Sequence, residues 1–195
     1  HRDLHSFPTR RSSDLIIIRT WPKTIQQKLF FIRDFELIDD SNQLLGQASS
    51  AWLIIDINSR RLVPPRKIEF ELPGLENRHG LNETLEKIDL EPDGEERLVA
   101  HAGYSSVDIV GHTNNSRYVE WICDAFPIVT HQEQLLDWIQ VNYNHEVLPE
   151  EKVSIRVNQL EKAGTWGIQG INQMNQTVAF TSVLRWKNRA EDQQN

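Results

Sequence analysis

Methionine and cysteine are nearly missing from this chain: Met174 and Cys123 are the only ones in its 195 residues. With one cysteine, no disulfide framework can form within the chain. That fits a reducing compartment and makes the cytoplasm the expected location. Long apolar runs are lacking as well. Ile16-Ile17-Ile18 falls far short of the roughly 20 residues that a membrane-spanning helix needs, and reads as a strand. No membrane partner is expected. Nor is there an excess of positive charge: lysine and arginine total 21 against 28 aspartates and glutamates, a net charge of −7. Wholesale nucleic-acid binding is therefore not expected. His101, His131 and His145 belong to no H-x-x-x-H or C-x-x-C pattern, so neither a metal nor a cofactor is expected.

The chain opens at His1 rather than at a methionine. Phe7-Pro8-Thr9-Arg10-Arg11-Ser12-Ser13-Asp14-Leu15 resembles the translation of a sequencing adapter. Residues 1–15 are set aside as an artefactual or disordered leader, and the natural start is expected to lie upstream of Ile16. Residues 16–21 and 29–38 read as strands. Asp39-Asp40-Ser41-Asn42 is turn chemistry, and residues 47–56 return as the second strand of a hairpin. Arg60-Arg61 ends this unit at residue 62. Residues 63–96 are broken by Pro64-Pro65, Pro73-Gly74 and Pro92-Asp93-Gly94, and read as a linker with a short helix at 82–87. Arg60-Arg61 and Arg66-Lys67 are taken as solvated charges.

A second unit is expected over residues 97–188, followed by a polar tail at 189–195. It begins with a strand at 97–105. Residues 131–137 read as a brief helix or turn. Residues 138–147 alternate, with Ile139, Val141, Tyr143 and His145 on one face and Gln140, Asn142, Asn144 and Glu146 on the other. Val153, Ile155 and Val157 continue that pattern, and residues 165–171 and 177–187 form a last hairpin. The hairpins at 35–52 and 166–186 resemble each other, each with a polar turn, a small-residue patch and a tryptophan. One apolar helix followed by antiparallel strands suggests a sheet wrapped around a central helix. The first unit shows only the closing strands of such a domain.

The stretch from Ser105 to Pro127 carries the chemistry. Asp108 and His112 stand four residues apart in a polar loop that leads into a helix. Tyr118, Trp121, Ile122, Ala125 and Phe126 fall at helical spacing and make one apolar stripe. Asp108, Gly111 and His112 therefore sit at a helix mouth, where unpaired N–H groups favour negative charge. Taken singly, His112 is as readily a structural loop histidine, and Asp108 a turn carboxylate. Glu146 alone reads as a solvated strand carboxylate. Cys123 reads as a buried thiol rather than a nucleophile, since no cation neighbours it in sequence.

Asp108-x-x-Gly111-His112-Thr113-Asn114-Asn115-x-x-Tyr118-Val119-Glu120-Trp121 resembles the signature of the acyl-ACP thioesterases, most nearly the bacterial ones. Arg33-Asp34, Ala48-Ser49-Ser50, Trp52 and Arg60-Arg61 resemble the family's first domain in order and spacing. The resemblance implies an α+β protein of tandem hotdog folds, the first incomplete, and a thioesterase that hydrolyses acyl-ACP to free fatty acid and carrier protein. It implies Asp108, His112 and Glu146 as catalytic residues. Gly111, Asn114 and Asn115 are candidates for substrate binding, although both asparagines serve equally as helix caps.

The chemistry so implied is attack of water on a thioester, with Glu146 as general base and Asp108 and His112 holding its hydrogen-bond network. Direct attack by Asp108 stays open. Backbone N–H groups around Gly111 and His112 are the expected oxyanion donors. Two positions depart from the family: Val110 stands where it has an asparagine, and Val147 where a cysteine often follows the glutamate. A Cys-His-Asn mechanism therefore cannot apply. The alternatives are an acyl-CoA thioesterase, or a non-catalytic acyl-binding or structural hotdog protein. Whether the chain is active by itself stays open. Pairing with a second copy is expected, because an incomplete first unit exposes sheet edge.

Overall fold

The computed structural model describes residues 15–68, 74–75, 77–91 and 93–189. The leader up to residue 14 and the tail from residue 190 lie outside the described residues. The chain divides into two compact units, His1–Glu86 and Lys87–Asn195.

In the first unit, β1 (Ile17–Gln26), β2 (Phe30–Ile38) and β3 (Leu44–Trp52) form an antiparallel sheet in the order β1-β2-β3. β1 continues past the strand expected at 16–21, straight through Pro22. A proline has no N–H to give to a ladder. Here it lies on an edge strand, where the register shifts between Pro22 and Thr24, so none is required. The Asp39 carboxylate closes the β2–β3 turn, accepting the Gln43 N–H and the Ser41 hydroxyl, each at 2.7 Å. These bonds hold its carboxyl below the usual range. β3 stops at Trp52, short of the expected residue 56. Ile55 bridges Leu62 instead, across a turn in which Asp56 accepts the Ser59 N–H at 2.7 Å.

Asp34 on β2 is fully buried, and a buried carboxylate is costly unless its oxygens are paired. It accepts the Ser49 hydroxyl at 2.5 Å and the Gly80 N–H at 2.7 Å, and Lys23 Nζ lies 3.1 Å away. Part of the stretch read as a linker is thus folded onto this sheet. The Arg78 guanidinium stacks 4.1 Å from the Trp21 ring centre, and the indole N–H donates to the Arg78 carbonyl. The helix expected at 82–87 does not form. So short a segment has too few turns to be stable without a packed face.

The second unit comprises β4 (Glu95–His101), α1 (Asn115–Asp124), α2 (Ile128–Glu133), β5 (Gln134–Tyr143), β6 (Lys152–Gln159), β7 (Thr165–Asn172) and β8 (Val178–Asn188). Its five strands form one antiparallel sheet in the order β4-β6-β7-β8-β5. The apolar stripe of α1 is buried as expected. Tyr118, Trp121 and Ile122, with Ala125 and Phe126 just beyond, join Ile155, Ile168, Phe180, Leu184 and Trp186 of the sheet in a single core. Gly170 is required by packing: a Cβ there would run into the Phe180 ring. A sheet wrapped on one apolar helix is the hotdog arrangement, and the chain as a whole is α+β with two antiparallel sheets.

β5 ends at Tyr143 rather than at the expected residue 147. Glu146 therefore lies in the loop after the strand, not on its polar face. The loop does not drift from the sheet, because the Asn144 and His145 N–H groups both donate to the Ala179 carbonyl, at 2.8 and 3.0 Å.

Candidate active site

The site is assembled from two segments: the loop before α1 and the loop after β5. The first is a closed ring of short-range bonds. Val107 and Thr113 form an antiparallel bridge. Between them the Asp108 N–H donates to the His112 carbonyl at 2.9 Å, and the Gly111 N–H to the Asp108 carbonyl at 3.1 Å. Gly111 has a φ of +88°, a conformation open to glycine at little cost. The Asp108 carboxylate finishes the ring: Oδ1 accepts the Val110 N–H at 2.8 Å and lies 3.4 Å from the His112 nitrogen. Aspartate does this readily, since its short side chain reaches the backbone two residues on.

α1 then starts with a side-chain cap. Asn114 Oδ1 accepts the Ser116 N–H at 2.9 Å and its hydroxyl at 2.8 Å, while the Asn114 N–H donates to the Ser106 carbonyl at 2.8 Å. Asn114 is therefore the helix cap. Asn115 is the first residue of the helix, and its carbonyl accepts the Tyr143 hydroxyl at 3.3 Å. The Gly111 N–H is already engaged within the loop, on the Asp108 carbonyl.

His112 and Glu146, 34 positions apart in the sequence, come together here. Nε2 of His112 lies 3.5 Å from Oε2 of Glu146. The histidine side chain is 29% exposed and the glutamate side chain 64%. A contact this open adds at most about 1 kcal/mol to stability, so stability alone does not account for it. Asp108 bonds to its own loop's backbone instead of extending the pair. The loops are joined by the backbone, the Thr113 N–H donating to the Val147 carbonyl at 3.1 Å. The Val147 N–H in turn donates to the Tyr118 hydroxyl oxygen at 3.2 Å. Burial pushes the Tyr118 phenol up, against the N–H bond it accepts, and the nearby Glu146 charge adds to the rise.

Neither Tyr118 nor Tyr143 was singled out as a site residue in the sequence, where Tyr118 belongs to the helix stripe and the family signature and Tyr143 to a strand face. Their signal was a hydroxyl on a buried face, which needs a partner. Cys123 is half-buried on α1, and desolvation followed by the Asp124 charge raises its thiol, the opposite of what a nucleophile needs. No group of three or more metal-binding side chains occurs among the described residues. No helix among them is long and apolar enough to cross a membrane.

A sheet wrapped around one apolar helix, with a histidine–carboxylate pair at the mouth of that helix, defines a hotdog protein. The acyl-ACP thioesterase C-terminal domain model matches residues 91–193, and the acyl-ACP thioesterase N-terminal domain model matches residues 5–68. The chain belongs to the acyl-ACP thioesterase family. The second match takes in residues 5–15, part of the stretch expected to be an artefactual leader.

An oleoyl-acyl carrier protein thioesterase of Coriandrum sativum, chloroplastic, is 26% identical over 160 residues, 75% of this chain and 42% of that protein. An oleoyl-acyl carrier protein thioesterase of Arabidopsis thaliana, also chloroplastic, is 25% identical over 182 residues, 86% of this chain and 49% of that protein. The chain thus spans less than half the length of either curated relative. An acyl-ACP thioesterase structure from Bacteroides thetaiotaomicron superposes with a TM-score of 0.72 at 23% identity, covering 88% of this chain and 68% of that one. That likeness supports tandem hotdog folds, of which the first, a three-stranded sheet with no α-helix among its described residues, is incomplete.

Proposed function

We propose that this protein hydrolyses acyl-ACP thioesters, with His112 and Glu146 as the working acid–base pair. The observation that carries the reading is the 3.5 Å approach of His112 Nε2 to Glu146 Oε2 at the start of α1. The named relatives are acyl carrier protein thioesterases, which supports the substrate class. Glu146 takes a proton from water as its oxygen attacks the thioester carbon. The tetrahedral oxyanion is met by the N-terminal end of α1, where the Asn115 N–H is first in the helix. One such donor stabilises the transition state by about 3 kcal/mol. Collapse breaks the carbon–sulfur bond, the thiolate regains the proton, and a free fatty acid and the carrier thiol leave. Asp108 shapes the loop that presents His112. A bacterial-type, cytoplasmic enzyme is the form proposed, from the motif at Asp108–Trp121 and the lone Cys123.

The test is hydrolysis of oleoyl- and palmitoyl-acyl carrier protein, with the matching CoA esters alongside, by the parent chain and by Glu146→Gln and His112→Ala. The expected loss is roughly 10²- to 10⁴-fold in kcat for each variant. Near-parental rates in both variants would overturn the assignment. Binding of the acyl carrier without turnover would favour the acyl-binding alternative.

A further inference from the structure

Glu146 is exposed and lies outside any strand, yet it meets His112. Its contact with His112 is too open to fix it there. The peptide that follows it is fixed from two sides. Val147 is completely buried. Its carbonyl accepts the N–H of Thr113, the residue after His112, and its N–H donates to the Tyr118 hydroxyl oxygen at 3.2 Å.

The ring of Tyr118 packs edge-on to Phe180 and Tyr143 and tilted against Trp121, with centroid separations of 5.4, 5.4 and 5.3 Å. A phenylalanine would fill that space equally well. What phenylalanine lacks is an oxygen for the Val147 N–H, which would otherwise be a buried donor without an acceptor. The hydroxyl thus serves the loop rather than the core.

We propose that Tyr118 is a positioning residue: through the Val147 N–H it holds Glu146 within reach of His112. This inference rests on the reading of that pair as the acid–base site. Tyr143 is the parallel tie, its hydroxyl donating to the Asn115 carbonyl and joining the end of β5 to the start of α1.

The experiment is Tyr118→Phe in the whole chain, read by amide hydrogen exchange and by steady-state hydrolysis of oleoyl-acyl carrier protein. Ile122→Val is the packing control, since it loosens the same helix without touching the hydroxyl. In Tyr118→Phe the Val147 amide should exchange at least roughly ten-fold faster. Its kcat should fall roughly ten- to a hundred-fold at unchanged KM, as for a misplaced catalytic group. Ile122→Val should show neither effect. In a Glu146→Gln background, Tyr118→Phe should cost nothing further in kcat, because it acts through that carboxylate. Additive losses, an unchanged Val147 exchange rate, or equal losses in Ile122→Val would each overturn the proposal. Should Glu146→Gln itself leave the rate unchanged, the acid–base reading fails. The Val147 exchange rate then decides alone whether the Tyr118 hydroxyl holds this loop.

Discussion

Asp108 is the residue to which the geometry adds a structural role. In the sequence it stands as a catalytic carboxylate that holds the hydrogen-bond network with His112, with direct attack as the variant. In the folded loop Oδ1 accepts the Val110 N–H at 2.8 Å and approaches the His112 nitrogen, so the side chain shapes the turn that carries the histidine. Asparagine keeps an acceptor oxygen at that position and loses only the charge, while alanine loses both. A shaping role predicts that Asp108→Asn retains activity to within about three-fold, whereas Asp108→Ala loses roughly a hundred-fold as His112 moves out of place. Initial rates on one acyl-ACP substrate decide it. If Asn falls as far as Ala, charge or nucleophilic attack is what the reaction needs, and the shaping role is wrong.

At the scale of elements, the second unit could be read from its sequence and the first only in part. The stripe of Tyr118, Trp121, Ile122, Ala125 and Phe126 has one physical interpretation, a helix buried on one face, and α1 is that helix. The alternation through Ile139 and Val141 gave β5 but overshot its end. Nothing in the pattern of His145, Glu146 and Val147 records that Asn144 and His145 turn onto the Ala179 carbonyl. Glu146 was therefore found by resemblance, not by spacing. The fold-back of residues 77–81 could not be read either, because its contacts join the Gly80 N–H to the distant Asp34 carboxylate and Arg78 to the distant Trp21 ring, and no periodicity records them. Asp34 makes that contact energetic. Asp34→Ala leaves Lys23, itself little exposed, without its counter-charge and the Gly80 N–H without its acceptor. Removing one partner of a buried pair costs about 3–5 kcal/mol. Guanidinium unfolding followed by tryptophan fluorescence should show that loss, with Trp21 reporting. A loss below about 1 kcal/mol would mean that solvent replaces these partners.

At the scale of the whole molecule, the three-stranded unit leaves an unusual amount of apolar side chain in solvent: Ile16, Ile17, Ile18, Leu44, Leu45, Trp52 and Ile57 are all exposed. Exposed apolar area of this extent drives association. Light scattering should find this chain self-associated at micromolar concentration, and a clean monomer would contradict that. The opposite end of the pH scale tests the core of the second unit. The buried Tyr118 phenol is pushed above its ordinary 10.0, chiefly by desolvation, and Tyr143 is raised by the same cause. Cys123 is raised above its ordinary 9.0, again first by burial. Each of these groups holds its proton more tightly folded than unfolded. Their stabilising contribution is complete below the ordinary values and is lost as pH rises through the raised ones. Urea midpoints should therefore hold level from about pH 7 to about pH 9 and fall above that. Tyr118→Phe should lower the plateau, because Val147 loses its acceptor, and should flatten the alkaline fall, because one proton linked to folding is gone. A variant whose midpoint declines as steeply as the parent's would show that the Tyr118 hydroxyl is not what ties stability to pH.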